Sequence, residues 1–301
     1  MDKKKVNGRR FLAVTILNAT ITVVEIIGGV VSDSLALLSD AFHNLGDSLS
    51  IVMGYAAQVI SGRPENSRRT FGYRRAEILS AFLNALFLII MSIFLIVEAV
   101  QRLQHPSHIN GKVMLIVAVI GLIANLLSAI LLHEGSHDSL NVKATYLHVL
   151  SDSLSSVAVI IGAIILMYVN VPWLDPVLTI AVAVYIAFEA WPIIKKTIEI
   201  LMQSAPQLDY DAIQKDILAV KGVEGVHHLH AWSMDEHRVV FSAHINCQDM
   251  KISECEHIYH EIEQLLTNKY HISHVTLQAE CQRGRNENLF DTNDDEIHLC
   301  H

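Results

Sequence analysis

The chain has 301 residues, of which 51% are hydrophobic and only 18% charged, and its mean hydropathy is +0.36. This composition is typical of a protein with several membrane spans and excludes an ordinary soluble domain. The charge is unevenly divided, because the residues after Ala205 contain seven Lys and Arg against seventeen Asp and Glu, together with eleven of the seventeen His. Such an acidic, His-rich segment excludes a basic nucleic-acid surface and is compatible with the handling of cations.

Six apolar stretches are long enough, or nearly so, to cross a lipid bilayer, which takes about 20 residues. They are residues 11–32, 35–60, 76–97, 113–132, 144–169 and 177–194. Basic residues cluster before the first stretch, between the second and third, and after the sixth. The positive-inside rule therefore predicts that both termini lie in the cytoplasm. The expected location of this multi-pass protein is the cytoplasmic membrane. No cleaved signal peptide is expected, since the first apolar run is too long and no small-residue cleavage site follows it.

A soluble pattern follows the last stretch. Residues 209–220 and 253–268 are amphipathic with helical spacing, whereas residues 223–232, 239–246 and 272–280 alternate like strands. This α-β-β-α-β order predicts a small open-faced sandwich. The predicted organisation is a cytoplasmic N-terminal segment at 1–10, a six-helix membrane domain at 11–200, a cytoplasmic α+β domain at 205–282 and a disordered acidic tail at 283–301.

The second and fifth apolar stretches share a ten-residue motif. HNLGDSLSIV at 43–52 and HVLSDSLSSV at 148–157 match at seven positions, including the His and the Asp four residues later. Residues spaced i, i+4 lie on one helix face, and ionisable groups are costly in a bilayer unless they face a partner or a pathway. The motifs therefore predict a tetrahedral site for a divalent metal between two helices, with four ligands: His43, Asp47, His148 and Asp152. Interhelical hydrogen bonding, the alternative role, explains one polar group better than a duplicated pair.

The predicted topology brings the two motifs together. Because the second stretch runs inward and the fifth runs outward, antiparallel copies place His43 level with Asp152, and Asp47 level with His148, near mid-membrane. Two imidazoles favour Zn²⁺, with Cd²⁺, Co²⁺ and Ni²⁺ as alternatives, over Mn²⁺ or Mg²⁺. Binding requires neutral His and ionised Asp, so the site also predicts coupling between metal ions and protons.

Several longer segments resemble a known family. They are LLSDAFHNLGDSLS at 37–50, FGYRRAEILSAFLNA at 71–85, LHVLSDSLSS at 147–156, and HHLHAW, SAHI and HVTLQAE in the C-terminal domain. From Arg10 to Cys281 the chain resembles the zinc-transporting branch of the cation diffusion facilitators. The resemblance implies a homodimer with a metallochaperone-like cytoplasmic domain. It also implies export of Zn²⁺ from the cytoplasm in exchange for protons, and no enzyme activity.

The same resemblance implies a second metal site, between the cytoplasmic domains. His227, His244 and Glu280 occupy positions like those of the family's cytoplasmic ligands, and His260 is a further candidate on the second amphipathic helix. Gln278 stands where some relatives have a His, so the ligand count and a binuclear site remain open. Residues 66–73, where some relatives bind a metal, contain no His or Cys, and we expect no site there.

Other features leave alternatives open. Asp40 lies one helical turn before His43, and ligation, an access path or packing would each suit it. Glu25 and other isolated polar groups in the apolar stretches are expected to make interhelical contacts. A terminal cluster either binds metal or is a frayed end: His298, Cys300 and His301.

Two rival functions compete with transport. One is a membrane-anchored zinc sensor that does not transport, but a sensor would not need the duplicated buried motif. The other is a membrane metalloenzyme, which would need an open coordination position and a separate general base that the sequence does not supply.

Overall fold

The computed structural model describes residues 3–106, 108–136, 140–169 and 171–290. Within these ranges the side chains of residues 3–13, 132, 134–136, 140–145, 147, 148 and 151 are not described. The chain forms two compact units. The first comprises Met1–Ile60 with Leu79–Lys195, and the second comprises Ser61–Ile78 with Lys196–His301.

Six long helices account for the six predicted apolar stretches. They are α1 (Lys3–Ser32), α2 (Leu35–Ser61), α3 (Arg75–Gln104), α4 (Gly111–Ser136), α5 (Leu140–Tyr168) and α6 (Leu174–Leu201). Among the described residues, α1, α3, α4 and α6 contain stretches long and apolar enough to cross a membrane. The other two helices, α2 and α5, carry the His-Asp motifs. In α5 the described side chains allow only the stretch Asp152–Tyr168, which is apolar but shorter.

Buried side chains hold α2, α4 and α5 together. Ala36 and Leu37 of α2 pack with Met114 of α4 and with Val159 and Ala163 of α5 in one apolar cluster. Large hydrophobic side chains on the outer faces of the helices are exposed, as expected where lipid replaces water: Ile16, Val23, Ile90, Ile116, Ile130 and Phe188. The bundle therefore has an apolar outside, and its polar groups lie within.

One polar contact ties α1 to α2. Glu25 is fully buried, and its Oε2 accepts a hydrogen bond of 2.7 Å from Nδ2 of Asn44, the residue after His43. Gly121 of α4 lies so close to Glu25 Oε1 that a side chain there would displace the carboxylate. The expectation that Glu25 makes an interhelical contact is confirmed.

The first turn of α2 is capped by another helix. Asp175, the second residue of α6 and fully buried, accepts hydrogen bonds from Ser34 Oγ (2.5 Å), Leu35 N (2.9 Å) and Ala36 N (3.3 Å). A helix N-terminus leaves its first N–H groups without intrahelical partners and favours a negative charge. Asp175 therefore fixes the start of α2, the helix that carries the first motif, to the start of α6.

The second unit has the predicted order of elements, α-β-β-α-β. It contains α7 (Tyr210–Leu218), β1 (Val223–Ser233), β2 (Val239–Cys247), α8 (Ile252–Tyr270) and β3 (His274–Glu280). The sheet order is β1-β2-β3, with β1 antiparallel and β3 parallel to β2. Alternate residues of β2 pack with α7 and α8 in the core: Phe241, Ala243 and Ile245. Because strand residues alternate between faces, Ser242, His244 and Asn246 lie on the other face, away from that core.

A β-bulge interrupts β1 beside this open face. His227 pairs with His244, but His230 pairs with Ser242, so β1 contains one extra residue, and His228 takes a left-handed backbone conformation with φ 51°. Within the bulge, the N–H of Leu229 donates a 2.9 Å hydrogen bond to the carbonyl of Leu289. The irregularity in β1 therefore provides an attachment point for the chain that follows β3.

Residues 283–290, here called the C-terminal strap, differ from the predicted disordered tail. Besides the Leu289 carbonyl, which accepts from the bulge, the carbonyl of Arg283 accepts a 2.7 Å hydrogen bond from Asn246 Nδ2. The rings of Phe290 and Tyr210 lie 5.3 Å apart. Backbone carbonyls and the Phe290 ring make these contacts, so the polar composition of the segment did not reveal them. Residues 291–301, including His298, Cys300 and His301, lie outside the described residues.

Changing Asp175 to Asn should destabilise the membrane unit. The amide NH2 would replace one of the two acceptor oxygens and would face buried groups that are themselves donors. We expect a loss of about 1–3 kcal/mol, the usual cost of leaving a buried polar group unsatisfied. Asp33→Asn is the matched control, since Asp33 is half-exposed and pairs with Arg102, a contact worth about 0–1 kcal/mol. Thermal denaturation in detergent measures both variants, and equal shifts would contradict the capping role.

Candidate metal centres

The first candidate centre lies between α2 and α5. His43 Nε2 is 3.3 Å from Asp152 Oδ1 and 4.0 Å from Asp47 Oδ2, and one ligand atom from each residue lies within 4.8 Å of the others. The side chains of His43, Asp47 and Asp152 are 10%, 18% and 7% exposed. An imidazole and two carboxylates therefore converge within the bundle, where ionisable groups without a function are rare.

The helices place these side chains as the sequence predicted. His43 and Asp47 are one turn apart on α2, and Asp152 on α5 lies next to His43. Ligand atoms around a tetrahedral zinc, at about 2.0–2.1 Å from the metal, are roughly 3.4 Å apart. The distance between His43 and Asp152 matches such an edge, and His43 to Asp47 is slightly longer. His148 precedes Asp152 by one turn of α5, but its side chain lies outside the described residues.

Asp40 is bound from the opposite helix. Its Oδ1 accepts a hydrogen bond from Ser155 Oγ at 2.9 Å, and its Oδ2 accepts one from Ser156 Oγ at 3.2 Å. Each carboxylate oxygen thus faces a hydroxyl of α5, and the residue is only 4% exposed. Of the roles that the sequence left open for Asp40, this geometry favours packing: the carboxylate fixes α5 against α2 beside the converging ligands.

The second candidate centre lies on the open face of the sheet in the second unit. Glu280 Oε2 is 3.2 Å from His227 Nε2, and Glu280 Oε1 is 3.3 Å from His244 Nδ1. One ligand atom from each residue lies within 4.8 Å of the others. The two His are cross-strand partners of β1 and β2, and Glu280 ends the neighbouring strand β3. Each strand of the sheet therefore supplies one side chain.

The surroundings of this centre affect the orientation of Glu280 and the pKa of His244. Gln278 donates a 2.6 Å hydrogen bond to Glu280 Oε1 and so orients the carboxylate. Burial lowers the pKa of His244, and the Glu280 carboxylate opposes this effect. A lowered pKa favours the neutral imidazole at neutral pH, which is the form that binds metal ions.

His260 is not part of this centre within one chain. It is exposed on α8, where its Nε2 lies 2.8 Å from Nε2 of Gln264. Sequence reasoning instead missed Glu287, whose Oε2 lies 3.8 Å from His227 Nε2. Glu287 follows the last strand in a segment predicted to be disordered, so no periodicity placed it near the sheet.

Comparison with known families agrees with this architecture. Residues 11–202 match the model of the cation efflux transmembrane domain, and residues 205–282 match that of the cation efflux protein cytoplasmic domain. The chain belongs to the cation efflux family. This is a family of multi-pass membrane transporters, not of enzymes, and its C-terminal domain is cytoplasmic.

Relatives in this family align along nearly the whole chain. The chain is 40% identical to zinc transporter ZitB of Pectobacterium atrosepticum over 280 residues, 92% of this chain and 87% of the relative. It is 37% identical to the cadmium, cobalt and zinc/H⁺-K⁺ antiporter of Bacillus subtilis over 270 residues, 88% of this chain and 86% of the relative. A solved structure of the metal-bound C-terminal domain of the CzcD transporter from Cupriavidus metallidurans is 33% identical, covering 24% of this chain and 99% of that one, with a TM-score of 0.23.

If Asp40 fixes α5 against α2, Asp40→Ala should lower the unfolding free energy by about 1.5–3 kcal/mol, the usual value for hydrogen bonds to a charged group. The loss should be smaller in a protein that already carries Ser155→Ala and Ser156→Ala, because that protein lacks the two hydrogen bonds to Asp40. Denaturation midpoints of the four proteins in detergent complete this cycle. A ligand role predicts a different result, in which Asp40→Ala weakens metal affinity equally in both backgrounds and leaves stability unchanged.

Proposed function

We propose that this protein exports Zn²⁺ from the cytoplasm in exchange for protons, with His43, Asp47, His148 and Asp152 as the transport ligands. The observation that carries the proposal is the convergence of His43, Asp47 and Asp152 inside the membrane unit of a cation efflux protein. His148 is included because it repeats His43 in the second motif and lies one turn from Asp152. The duplicated and buried motif favours transport over the alternative of a membrane-anchored sensor.

The donor set supports Zn²⁺ as the principal cargo. Imidazole nitrogen is a borderline ligand that suits zinc and its neighbours, and the carboxylates supply the negative charge that a divalent ion requires. Two relatives are named for zinc, and one of them also for cadmium and cobalt. Cd²⁺, Co²⁺ and Ni²⁺ are therefore the further ions to test.

Proton exchange follows from the same ligands. Metal binding requires neutral imidazoles and ionised carboxylates, so protons compete with the metal for these side chains. A proton that enters from outside would weaken metal binding on that side. The relative from Bacillus subtilis is named as an antiporter of metal ions against H⁺ and K⁺.

Uptake into inverted membrane vesicles tests the transport site. Asp47→Ala and Asp152→Ala should each abolish Zn²⁺ uptake driven by an imposed pH gradient, because each removes one of four ligands. Asp33→Asn, a change of charge away from the site, is the control and should transport normally. Uptake at the wild-type rate in either Ala variant would refute that ligand, and uptake that ignores collapse of the pH gradient would refute proton exchange.

We further propose that the protein is a homodimer whose cytoplasmic domains bind Zn²⁺ through His227, His244 and Glu280. The match of residues 205–282 to the family's dimerisation domain supports the dimer. The distances within the cluster, 3.2 and 3.3 Å, are close to the edges of a zinc tetrahedron of roughly 3.4 Å. Two domains that each carry an excess of acidic residues repel one another, and bound Zn²⁺ would reduce that repulsion.

Calorimetry on the full-length protein in detergent tests the cytoplasmic site. An Asp47→Ala background removes a transport ligand, so that the remaining heat of Zn²⁺ binding reports the cytoplasmic domain. In this background His244→Ala should abolish the remaining binding, whereas His260→Ala should leave it unchanged, because His260 points away from the cluster. Equal binding by all three proteins would place the site elsewhere.

A further inference from the structure

The cytoplasmic cluster has three ligands where zinc usually takes four. His227, His244 and Glu280 come from the three strands of one sheet, so all three approach from one side. Structural zinc sites are almost always four-coordinate and tetrahedral. The fourth ligand must therefore approach from above the open face, where no further strand is available.

Glu287 lies close to one of the three ligands. Its Oε2 is 3.8 Å from His227 Nε2, the same nitrogen that lies 3.2 Å from Glu280. Two carboxylates thus face one imidazole nitrogen, an arrangement that a bound cation would stabilise because it offsets their repulsion. The side chain of Glu287 is 45% exposed, so it reaches the cluster from the solvent side.

The C-terminal strap holds Glu287 at this place. Its N–H donates a 3.0 Å hydrogen bond to the carbonyl of Gly284, which closes a turn beside His227. Arg285 in the same turn forms an ion pair with Glu224 of β1. The carbonyls of Arg283 and Leu289 fix the two ends of the strap to the sheet.

Gly284 provides evidence that the strap closely approaches the ligands. Its φ is +70°, and a Cβ at this position would overlap the imidazole ring of His227. Only glycine combines this backbone conformation with the close approach to the ring. The strap therefore packs against a proposed metal ligand with its backbone, and it presents Glu287 to the same ring.

We propose that Glu287 is the fourth ligand of the cytoplasmic metal site, delivered by the C-terminal strap. This inference rests on the proposed binding of Zn²⁺ by His227, His244 and Glu280. The completed set contains two imidazoles and two carboxylates, the same donors that we propose for the transport site. The two sites of one protein would then select the same class of ion, a borderline divalent cation.

Metal titration of the full-length protein with an Asp47→Ala background tests this assignment. Glu287→Gln removes the charge and the strong donor while keeping the size of the side chain. Glu263→Gln, an exposed Glu on α8, is the matched control for the loss of one negative charge. We expect Glu287→Gln to weaken Zn²⁺ affinity at least about tenfold, since even residues that only orient a ligand contribute 10–100-fold. Arg285→Gln, which releases the strap from Glu224, should weaken it in the same direction.

Co²⁺ provides a readout of the coordination itself. The visible absorption spectrum of Co²⁺ bound to the Asp47→Ala protein should change with Glu287→Gln and remain unchanged with Glu263→Gln. If Zn²⁺ affinity and the Co²⁺ spectrum of Glu287→Gln equal those of the control while His244→Ala loses binding, the cytoplasmic site stands and Glu287 is not its ligand. If His244→Ala also binds normally, the proposed cytoplasmic site is wrong and the assignment of Glu287 fails with it.

Discussion

The contact between His43 and Asp152 is the interaction on which the membrane unit depends. Removing an ionisable group from water costs several kcal/mol unless a partner compensates. α2 and α5 are therefore less suited to a bilayer separately than they are together. Asp40 with its two serine partners, and Glu25 with Asn44, add further hydrogen bonds within the same bundle. Exposed apolar side chains on all six helices then face the surrounding lipid.

The cytoplasmic domain brings its candidate ligands together on one face of a sheet. Its sheet buries one face under α7 and α8 and leaves the other face free of helices, which allows three strands to present ligands side by side. A β-bulge at His228 changes the register just beyond His227 and offers an N–H to the returning chain. Irregular backbone, rather than a regular strand or helix, thus brings the C-terminal strap over the candidate metal centre.

The sequence predicted the parts of this structure that depend on periodicity. The six apolar stretches, the α-β-β-α-β order, and the meeting of His43 with Asp152 all followed from spacing and topology. Contacts made by single side chains across long sequence separations did not follow. Asp175 is one acidic residue near the start of an apolar stretch, and no pattern connects it with the start of α2. The polar composition around Glu287 gave no signal that it lies near the sheet. His260 was a candidate by resemblance to the family, but it lies on a face of α8 that points away from the cluster.

The cap on α2 has a mechanical consequence for a transporter that must open to both sides of the membrane. Three hydrogen bonds to Asp175 hold the first turn of α2. Sliding of α2 along α6 would break all of the bonds to Asp175 at once. Tilting about that end would preserve them and would move the far end of the helix most. In such a movement the capped end would serve as the pivot, and the His-Asp motif, two to three turns along α2, would shift less than the far end of the helix.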